Sequence, residues 1–212
     1  MTLEEKKATV KEILRQLYKL YPEPKTALYY TTPFELLIAT MLSAQTTDKL
    51  VNTITPHLFK KYPSPKAFAD ATIAEIDMEI AKVNFHNNKA KNIHATAKII
   101  AEQYNGKIPE TMEELDALPG VARKTANVVL GNAFHKAEGV VVDTHVMRLA
   151  QKFGLTNNKT PEKIEQDLMQ IVPKDKWIDF SHLLINFGRE YCPARPHKCK
   201  EGPLGDLLLN QS

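Results

Sequence analysis

The fold is decided by a stretch near the middle of the chain, Leu118-Pro119-Gly120-Val121-Ala122-Arg123-Lys124-Thr125-Ala126. Pro119 and Gly120 break the chain sharply between two segments that both have helical patterns. The first segment opens with Thr111-Met112-Glu113-Glu114, which has the capping-box pattern. The second, rich in helix formers and apolar residues, follows Ala122. The pattern predicts a helix-hairpin-helix over about residues 111–133.

The second helix of this motif is expected to begin at an anion site. Its first backbone N–H groups have no partner within the helix and point outward at the positive end of the helix dipole, which suits a phosphate. Lys124 falls in that first turn, where the dipole disfavours its ammonium form, so it is a candidate amine nucleophile. The alternative is a solvated lysine that meets phosphate only as a point charge.

Composition narrows the class of protein without identifying it. The chain has 212 residues, 43% hydrophobic and 25% charged, with a net charge of +3. These values fit one ordinary globular domain or two small ones, and the weak charge permits a nucleic-acid partner without arguing for one. There is no apolar signal region or membrane-length run, so we expect a cytoplasmic protein. Two cysteines are too few for a disulfide-stapled secreted scaffold.

Nearly every periodic segment of the chain is helical. The segment from Phe34 to Ala44 is apolar almost all round and is expected to be the central buried helix. The one β-like run, from Gly139 to Val142, has no second strand with which to pair, so it is better interpreted as a buried connector. The pattern predicts an all-α fold with about ten helices.

Four segments in this order resemble one known family closely. They are the hairpin stretch already quoted, Val142-Asp143-Thr144-His145 after it, and two earlier segments, Ser43-Ala44-Gln45-Thr46-Thr47-Asp48 and Asn87-Asn88-Lys89-Ala90-Lys91-Asn92-Ile93. Together they resemble the endonuclease III family of helix-hairpin-helix DNA glycosylases and AP lyases. The resemblance runs from the first helix almost to the C-terminus.

The resemblance implies an architecture and a partner. Two helical lobes are expected, with the active site in the cleft between them: a continuous lobe over residues 22–134, and a discontinuous lobe formed by residues 1–21 and 135–212. The implied partner is double-stranded DNA that contains damaged pyrimidines or abasic sites. The protein is expected to act as a monomer, close to the nucleoid and away from any membrane.

The resemblance also implies a chemistry. The damaged nucleotide leaves the base stack, Lys124 attacks the sugar C1′ as a neutral amine, and the resulting Schiff base allows β-elimination at the 3′ phosphate. Asp143 would stabilise the positive charge of the sugar or move protons during the attack. Taken by itself, Asp143 also fits a plain helix N-cap, a role that is compatible with catalysis. No metal ion or organic cofactor is required.

The expected DNA contacts come from three places. Gln45 fills the gap left by the extruded nucleotide and Phe85 wedges into the stack, although Phe85 taken alone could be a core aromatic. Asn88 and Lys89 either bind a phosphate or cap a helix. The hairpin residues expected at the phosphate are Gly120, Val121, Ala122 and Arg123. His86 and His145 are expected to pack or to form hydrogen bonds rather than to act in catalysis.

Two departures from the family pattern stand out. Ala122 replaces the second hairpin glycine, which is harmless if the residue already has helical dihedrals, as we expect. Many relatives end with four cysteines that hold a [4Fe–4S] cluster, whereas here only Cys192 and Cys199 remain and the other positions are Gly202 and Leu208. Two thiolates cannot replace four ligands. We therefore expect no cluster. Cys192 and Cys199 could form a disulfide if oxidised, but a reducing compartment favours free thiols.

Two other functions stay open at this point. A monofunctional glycosylase for mispaired adenine or thymine is disfavoured by Lys124, because such relatives generally lack a lysine there. A non-catalytic DNA-binding module is disfavoured by the presence of both Lys124 and Asp143. The basic tail residues Arg195, His197, Lys198 and Lys200 either touch phosphates or are simply solvated.

Overall fold

The computed structural model describes residues 1–194, 199 and 202–208. Within these residues the fold has α-helices, short 3₁₀ turns and no β-strand, so the prediction of an all-α protein is confirmed. None of the described helices is long and apolar enough to cross a membrane. The tail residues Arg195, His197, Lys198 and Lys200 lie outside the described residues.

The helices follow one another along the whole chain. In chain order they are α1 (Leu3–Leu20), α2 (Pro33–Ser43), α3 (Asp48–Lys61), α4 (Pro65–Asp70), α5 (Ile73–Glu79), α6 (His86–Gln103), α7 (Met112–Asp116), α8 (Arg123–Phe134), α9 (Thr144–Lys152), α10 (Pro161–Ile171) and α11 (Trp177–Glu190).

The chain divides into two compact units. The hairpin unit comprises residues 27–136, and the terminal unit comprises residues 1–26 together with 137–212. The hairpin unit is thus continuous in sequence, whereas the terminal unit is assembled from both ends of the chain. The sequence had placed the two boundaries at residues 22 and 134.

The core of the hairpin unit is built around α2. Leu36, Leu37, Ile38, Ala39 and Leu42 are fully buried there, as expected for a helix that is apolar on all sides. Around them pack apolar residues from the other helices of the unit, including Phe68, Ile93, Val129 and Leu130. This core fixes α6 and α8, whose first turns and the turns directly before them carry most of the candidate site.

The core of the terminal unit joins α1 to the helices at the C-terminal end. Val10, Ile13, Leu14 and Leu17 form the buried stripe of α1, and Phe180, Leu183, Leu184 and Phe187 form that of α11. The run before α9 is a buried connector, as predicted, since Val140 and Val142 are 1% and 7% exposed without being part of a strand. The phenol of Tyr21 donates to Glu190 over 2.7 Å and thus links α1 to the end of α11.

Candidate active site

The hairpin between α7 and α8 is held by short-range and long-range hydrogen bonds. Thr111 caps α7 by accepting from the Glu114 N–H at 3.3 Å. The Val121 N–H donates to Leu118 O over 3.1 Å and closes the turn. From α6, the buried hydroxyl of Thr96 donates to Pro119 O over 2.8 Å. The turn is therefore anchored to the core of its own unit.

Gly120 is the one hairpin residue that admits no side chain. Its φ of +74° lies in the left-handed region, and an added Cβ would stand 2.6–2.8 Å from the side-chain atoms of Asn92. Both the backbone conformation and the close approach of α6 therefore require glycine. Asn92 was not singled out from the sequence, because nothing local indicates that it faces the hairpin.

Gly120→Ala is expected to destabilise the protein more than Gly106→Ala. Gly106 has nearly the same φ, +77°, but nothing lies within 4 Å of its added Cβ. Gly106→Ala should thus cost only the left-handed penalty of roughly 1–2 kcal/mol, while Gly120→Ala also displaces Asn92. Urea unfolding of both variants measures the difference. Equal losses of stability would show that Asn92 yields freely and that the hairpin tolerates a side chain.

Ala122 corrects one expectation about the hairpin. Its backbone is extended, with φ −95° and ψ 163°, and it is the N-cap of α8 rather than a helical residue. Its negative φ still explains why alanine is tolerated in place of glycine. Because alanine has no side-chain acceptor, α8 begins without a side-chain cap. The exposed start of the helix is thus kept open for an external acceptor.

Lys124 stands at this open helix start. It is exposed, as is Arg123 before it. The first intrahelical bond runs from the Ala126 N–H to Ala122 O over 3.0 Å, so the N–H groups of Lys124 and Thr125 have no acceptor within the helix. Val121 differs from its neighbours, since its side chain is only 5% exposed and belongs to the core. Any contact that Val121 makes to a ligand must come from its backbone.

Gln45 and Phe85 share an unusual backbone conformation. Their φ values are +54° and +59°, in the left-handed region that non-glycine residues rarely adopt. Both side chains are exposed, Phe85 to 62%. Phe85 is therefore not a core aromatic, and it immediately precedes α6. Asn88 is exposed in the first turn of α6, which also begins without a side-chain cap.

Lys89 is not placed as predicted. Only 8% of it is exposed, and its Nζ donates to Leu42 O and Ala44 O over 2.7 Å each and to Thr46 Oγ1 over 3.2 Å. Its backbone N–H donates to Phe85 O over 3.1 Å. Burial lowers the pKa of the Lys89 ammonium, while its oxygen acceptors favour the charged form. Because its donors are occupied inside the unit, the expected phosphate contact of Lys89 is wrong.

Asp143 caps α9 in the terminal unit. One carboxylate oxygen, Oδ1, accepts from the His145 and Val146 N–H groups at 2.8 Å each. The other oxygen, Oδ2, accepts no hydrogen bond from the described residues. The N-cap interpretation of the sequence is therefore confirmed, and the cap leaves the second oxygen of this half-buried residue for another role.

Charged and titratable groups surround the Asp143 carboxylate. Burial lowers the pKa of His145 and of Arg148, and in both cases the negative charge of Asp143 partly opposes the shift. Burial likewise lowers the pKa of His182 on α11, opposed first by Asp179. His145 also leaves no room at Gly188, where an added Cβ would be 2.8 Å from its Nδ1. The hydrogen-bonded or packed role predicted for His145 fits this placement.

The half-buried histidines His145 and His182 predict a loss of stability in mild acid. A histidine whose folded pKa is lowered binds fewer protons than the unfolded chain does below its ordinary pKa of about 6.5, so the free energy of unfolding should fall as pH falls below that value. His182→Gln, which cannot titrate, should reduce this fall. Urea unfolding at about pH 7.5 and about pH 5.5 compares the two proteins. An unchanged pH dependence in the variant would rule out His182 as a source.

His86 forms the polar contact that was expected of it. Its Nδ1 lies 2.6 Å from Asp77 Oδ1, which links the first turn of α6 to α5. The residue is half-buried. The expectation that it is structural rather than catalytic thus agrees with its placement.

The two cysteines are joined rather than free. Cys192 and Cys199 form a disulfide with Cα atoms 5.1 Å apart, which corrects the expectation of free thiols. Lys152 Nζ lies 3.4 Å from Cys199 Sγ and 3.8 Å from Cys192 Sγ. Among the described residues no group of three or more His, Cys, Asp or Glu side chains could hold a metal ion. The ligand set therefore does not fit a [4Fe–4S] cluster, which needs four.

The chain is similar to known proteins over most of its length. The family model described as "HhH-GPD superfamily base excision DNA repair protein" matches residues 38–174. Endonuclease III of Synechocystis sp. is 50% identical over 202 residues, covering 95% of this chain and 92% of that protein. Endonuclease III of Escherichia coli strain K12 is 41% identical and covers 95% of each.

A solved structure is similar over nearly the whole chain. The structure of a trapped endonuclease III–DNA covalent intermediate superposes with a TM-score of 0.90 at 37% sequence identity. The match covers 99% of this chain and 96% of that one. A match of this extent includes residues from both units.

Proposed function

The chain belongs to the endonuclease III family within the HhH-GPD superfamily of base excision DNA repair proteins, and we propose that it removes oxidised pyrimidines through Lys124. It is a DNA glycosylase with AP lyase activity that acts on double-stranded DNA. The observation that carries the role of Lys124 is its exposure in the first turn of α8, directly after the glycine turn.

The proposed chemistry begins with attack by the Lys124 amine. A duplex hides the reacting atoms, so the damaged nucleotide must first leave the stack. The unprotonated Nζ forms a bond to the sugar C1′ while the bond from C1′ to the base breaks, and the base leaves with a proton. Loss of the amine proton and opening of the sugar ring give a Schiff base between Lys124 and C1′.

The Schiff base then makes strand cleavage possible. It acidifies the C2′ proton, and loss of that proton forms the C2′–C3′ double bond while the bond from C3′ to the phosphate oxygen breaks. Asp143 is proposed to stabilise the positive charge that develops on the sugar, or to carry a proton during the attack, through Oδ2. Its Oδ1 is already held by two N–H groups, which fixes the carboxylate.

The hairpin and the two left-handed residues are proposed to bind the DNA. The open N–H groups at the start of α8 suit a backbone phosphate, with Gly120 allowing the close approach. Asn88, exposed at the uncapped start of α6, suits a second phosphate. Gln45 and Phe85 are proposed to fill the stack from which the nucleotide was extruded. Ala122 and Arg123 complete the hairpin surface.

Base excision from single-lesion duplexes tests this function. A panel with one oxidised thymine, one oxidised cytosine, one mispaired adenine or no lesion should give release of the oxidised pyrimidines only. Cleavage 3′ to the abasic site should follow without added lyase. Excision of adenine without cleavage would favour the monofunctional alternative, and binding without any excision would favour the non-catalytic module.

We also propose that the enzyme works without an iron–sulfur cluster. Purified protein should contain no bound iron and should excise bases fully in the presence of an iron chelator, because Lys124 and Asp143 use no metal. As a positive control for the iron assay, Gly202→Cys with Leu208→Cys restores the family spacing of four ligands. Stoichiometric iron in the unaltered protein, or loss of excision with chelator, would contradict the proposal.

The proposed substrate also indicates where the protein acts and in which oligomeric state. We propose that the protein acts as a monomer in the cytoplasm and associates with the nucleoid through DNA. One chain supplies every residue that the chemistry requires. A concentration-independent sedimentation coefficient would support the monomer.

A further inference from the structure

Next to Gln45 and Phe85 lies a cluster of hydrogen bonds around the buried Lys89 side chain that no step above uses. Gln45 belongs to the turn after α2, and Phe85 to the turn before α6, about forty residues later. Both residues are exposed and both are left-handed. Such conformations persist in non-glycine residues only where the surroundings over-determine them. The surroundings in this case are contributed by Lys89, Asn84 and Thr46.

Lys89 binds the end of α2 and the turn that carries Gln45. The Nζ acceptors, Leu42 O, Ala44 O and Thr46 Oγ1, match the three protons of an ammonium group. Leu42 O is among the last carbonyls of α2, which have no partner within the helix and attract a cation. One buried side chain on α6 therefore closes the end of α2 and fixes the chain on both sides of Ser43.

Asn84 ties the second turn to the first. Its side-chain amide donates to Gln45 O, and its backbone N–H donates to Thr46 Oγ1 over 3.3 Å. Thr46 Oγ1 thus accepts from Asn84 and from Lys89. Since the Lys89 N–H also donates to Phe85 O, the backbones of Gln45 and Phe85 are joined through one network, all within the hairpin unit.

We propose that Lys89 is a positioning residue that holds Gln45 and Phe85 as one rigid two-pronged wedge for opening the duplex. This proposal rests on the role given above to those two side chains. Lys89 touches neither DNA nor the reacting sugar; it acts by setting the separation and direction of the two exposed residues. A wedge that is fixed in advance loses little conformational entropy when it enters the stack.

Lys89→Met tests the proposal, because methionine keeps much of the length and apolar volume while removing all three donors. Borohydride trapping is measured on two abasic substrates: a fully paired duplex, in which the nucleotide must be extruded, and a single strand, in which no stack has to be opened. The variant should lose about tenfold or more in trapping rate on the duplex, as expected for misplaced positioning groups. Trapping on the single strand should be unchanged.

The control is Lys98→Met on the solvent side of the same helix, where the side chain is 56% exposed. Lys98→Met should change the rate of borohydride trapping neither on the duplex nor on the single strand. Equal losses by Lys89→Met on both substrates would overturn the proposal, as would unchanged trapping on the duplex. Absence of trapping by the unaltered protein on either substrate would instead refute the role of Lys124. The two failures are therefore distinguishable.

A second measurement keeps the test valid if Lys89→Met does not fold. Asn84→Ala removes the side-chain link to Gln45 O from an exposed position, and it should reproduce the loss on duplex alone. In a Phe85→Ala background, either change should have a much smaller further effect, since the wedge is already missing. Fully additive losses would show that the network acts independently of Phe85.

Discussion

Lys124→Ala is expected to abolish both the trapped covalent adduct and strand cleavage. Removing a nucleophile costs on the order of 10⁴-fold or more in rate, because no other group repeats its bond-making step. Lys124 is exposed, so the variant should unfold at the same urea concentration as the unaltered protein. Single-turnover cleavage of an abasic duplex, together with borohydride trapping, measures the effect.

Lys124→Arg separates the charge of this residue from its nucleophilicity. Arginine can still meet a phosphate but cannot form the Schiff base, so DNA affinity should be kept while trapping is lost. Lys163→Ala, at an exposed position on α10, serves as the control for loss of a surface charge. A trapped adduct from Lys124→Arg would mean that another amine attacks the sugar, and the assignment of Lys124 would fail.

Helix starts were the most predictable part of the fold. The side chains of Thr32, Thr47, Ser64, Thr72 and Thr111 each accept from the N–H three residues on, and all five are of the residue types preferred at an N-cap. The signal is local, since the side chain and the N–H that it satisfies are neighbours in the chain. Local chemistry of this kind needs no knowledge of tertiary packing.

The start of α6 could not be predicted from local sequence signals. The helix begins at His86, after a left-handed Phe85 that has no capping side chain. The same limitation explains the wrong expectation for Lys89. A lysine in the first turn of a helix is usually solvated, and its burial here depends on carbonyls of α2 more than forty residues away.

The residues of the candidate site also divide into those that have a local sequence signal and those that do not. The positions of Lys124 and Asp143 at helix starts could be predicted, because hairpin and cap patterns are contiguous in sequence. Asn92, which excludes a side chain at Gly120, and Lys152, which contacts the disulfide, could not, because each acts on a distant segment. The disulfide was the less favoured of two alternatives, because free thiols were expected from the compartment and the sequence does not give the distance between the cysteines.

Asp143→Asn should lower base excision by about 10²–10³-fold, the range found when one preorganised electrostatic group is removed from a transition state. The substitution isolates charge from structure. The asparagine Oδ1 can still accept from the His145 and Val146 N–H groups, so the cap of α9 is kept. The oxygen that accepts no described hydrogen bond is replaced by an uncharged amide, which cannot stabilise a positive sugar or accept a proton.

Asp143→Ala provides the contrast, because it removes the cap as well as the charge. It should lower the free energy of unfolding by roughly 1 kcal/mol, in addition to lowering the rate of base excision. Thr72→Ala, which removes the capping box of α5, is the matched control: it should lose comparable stability but keep full excision. Urea unfolding and single-turnover excision measure the two quantities separately. If Asp143→Asn excises bases at the unaltered rate, then the carboxylate is a helix cap alone, and the charge that stabilises the sugar must come from elsewhere.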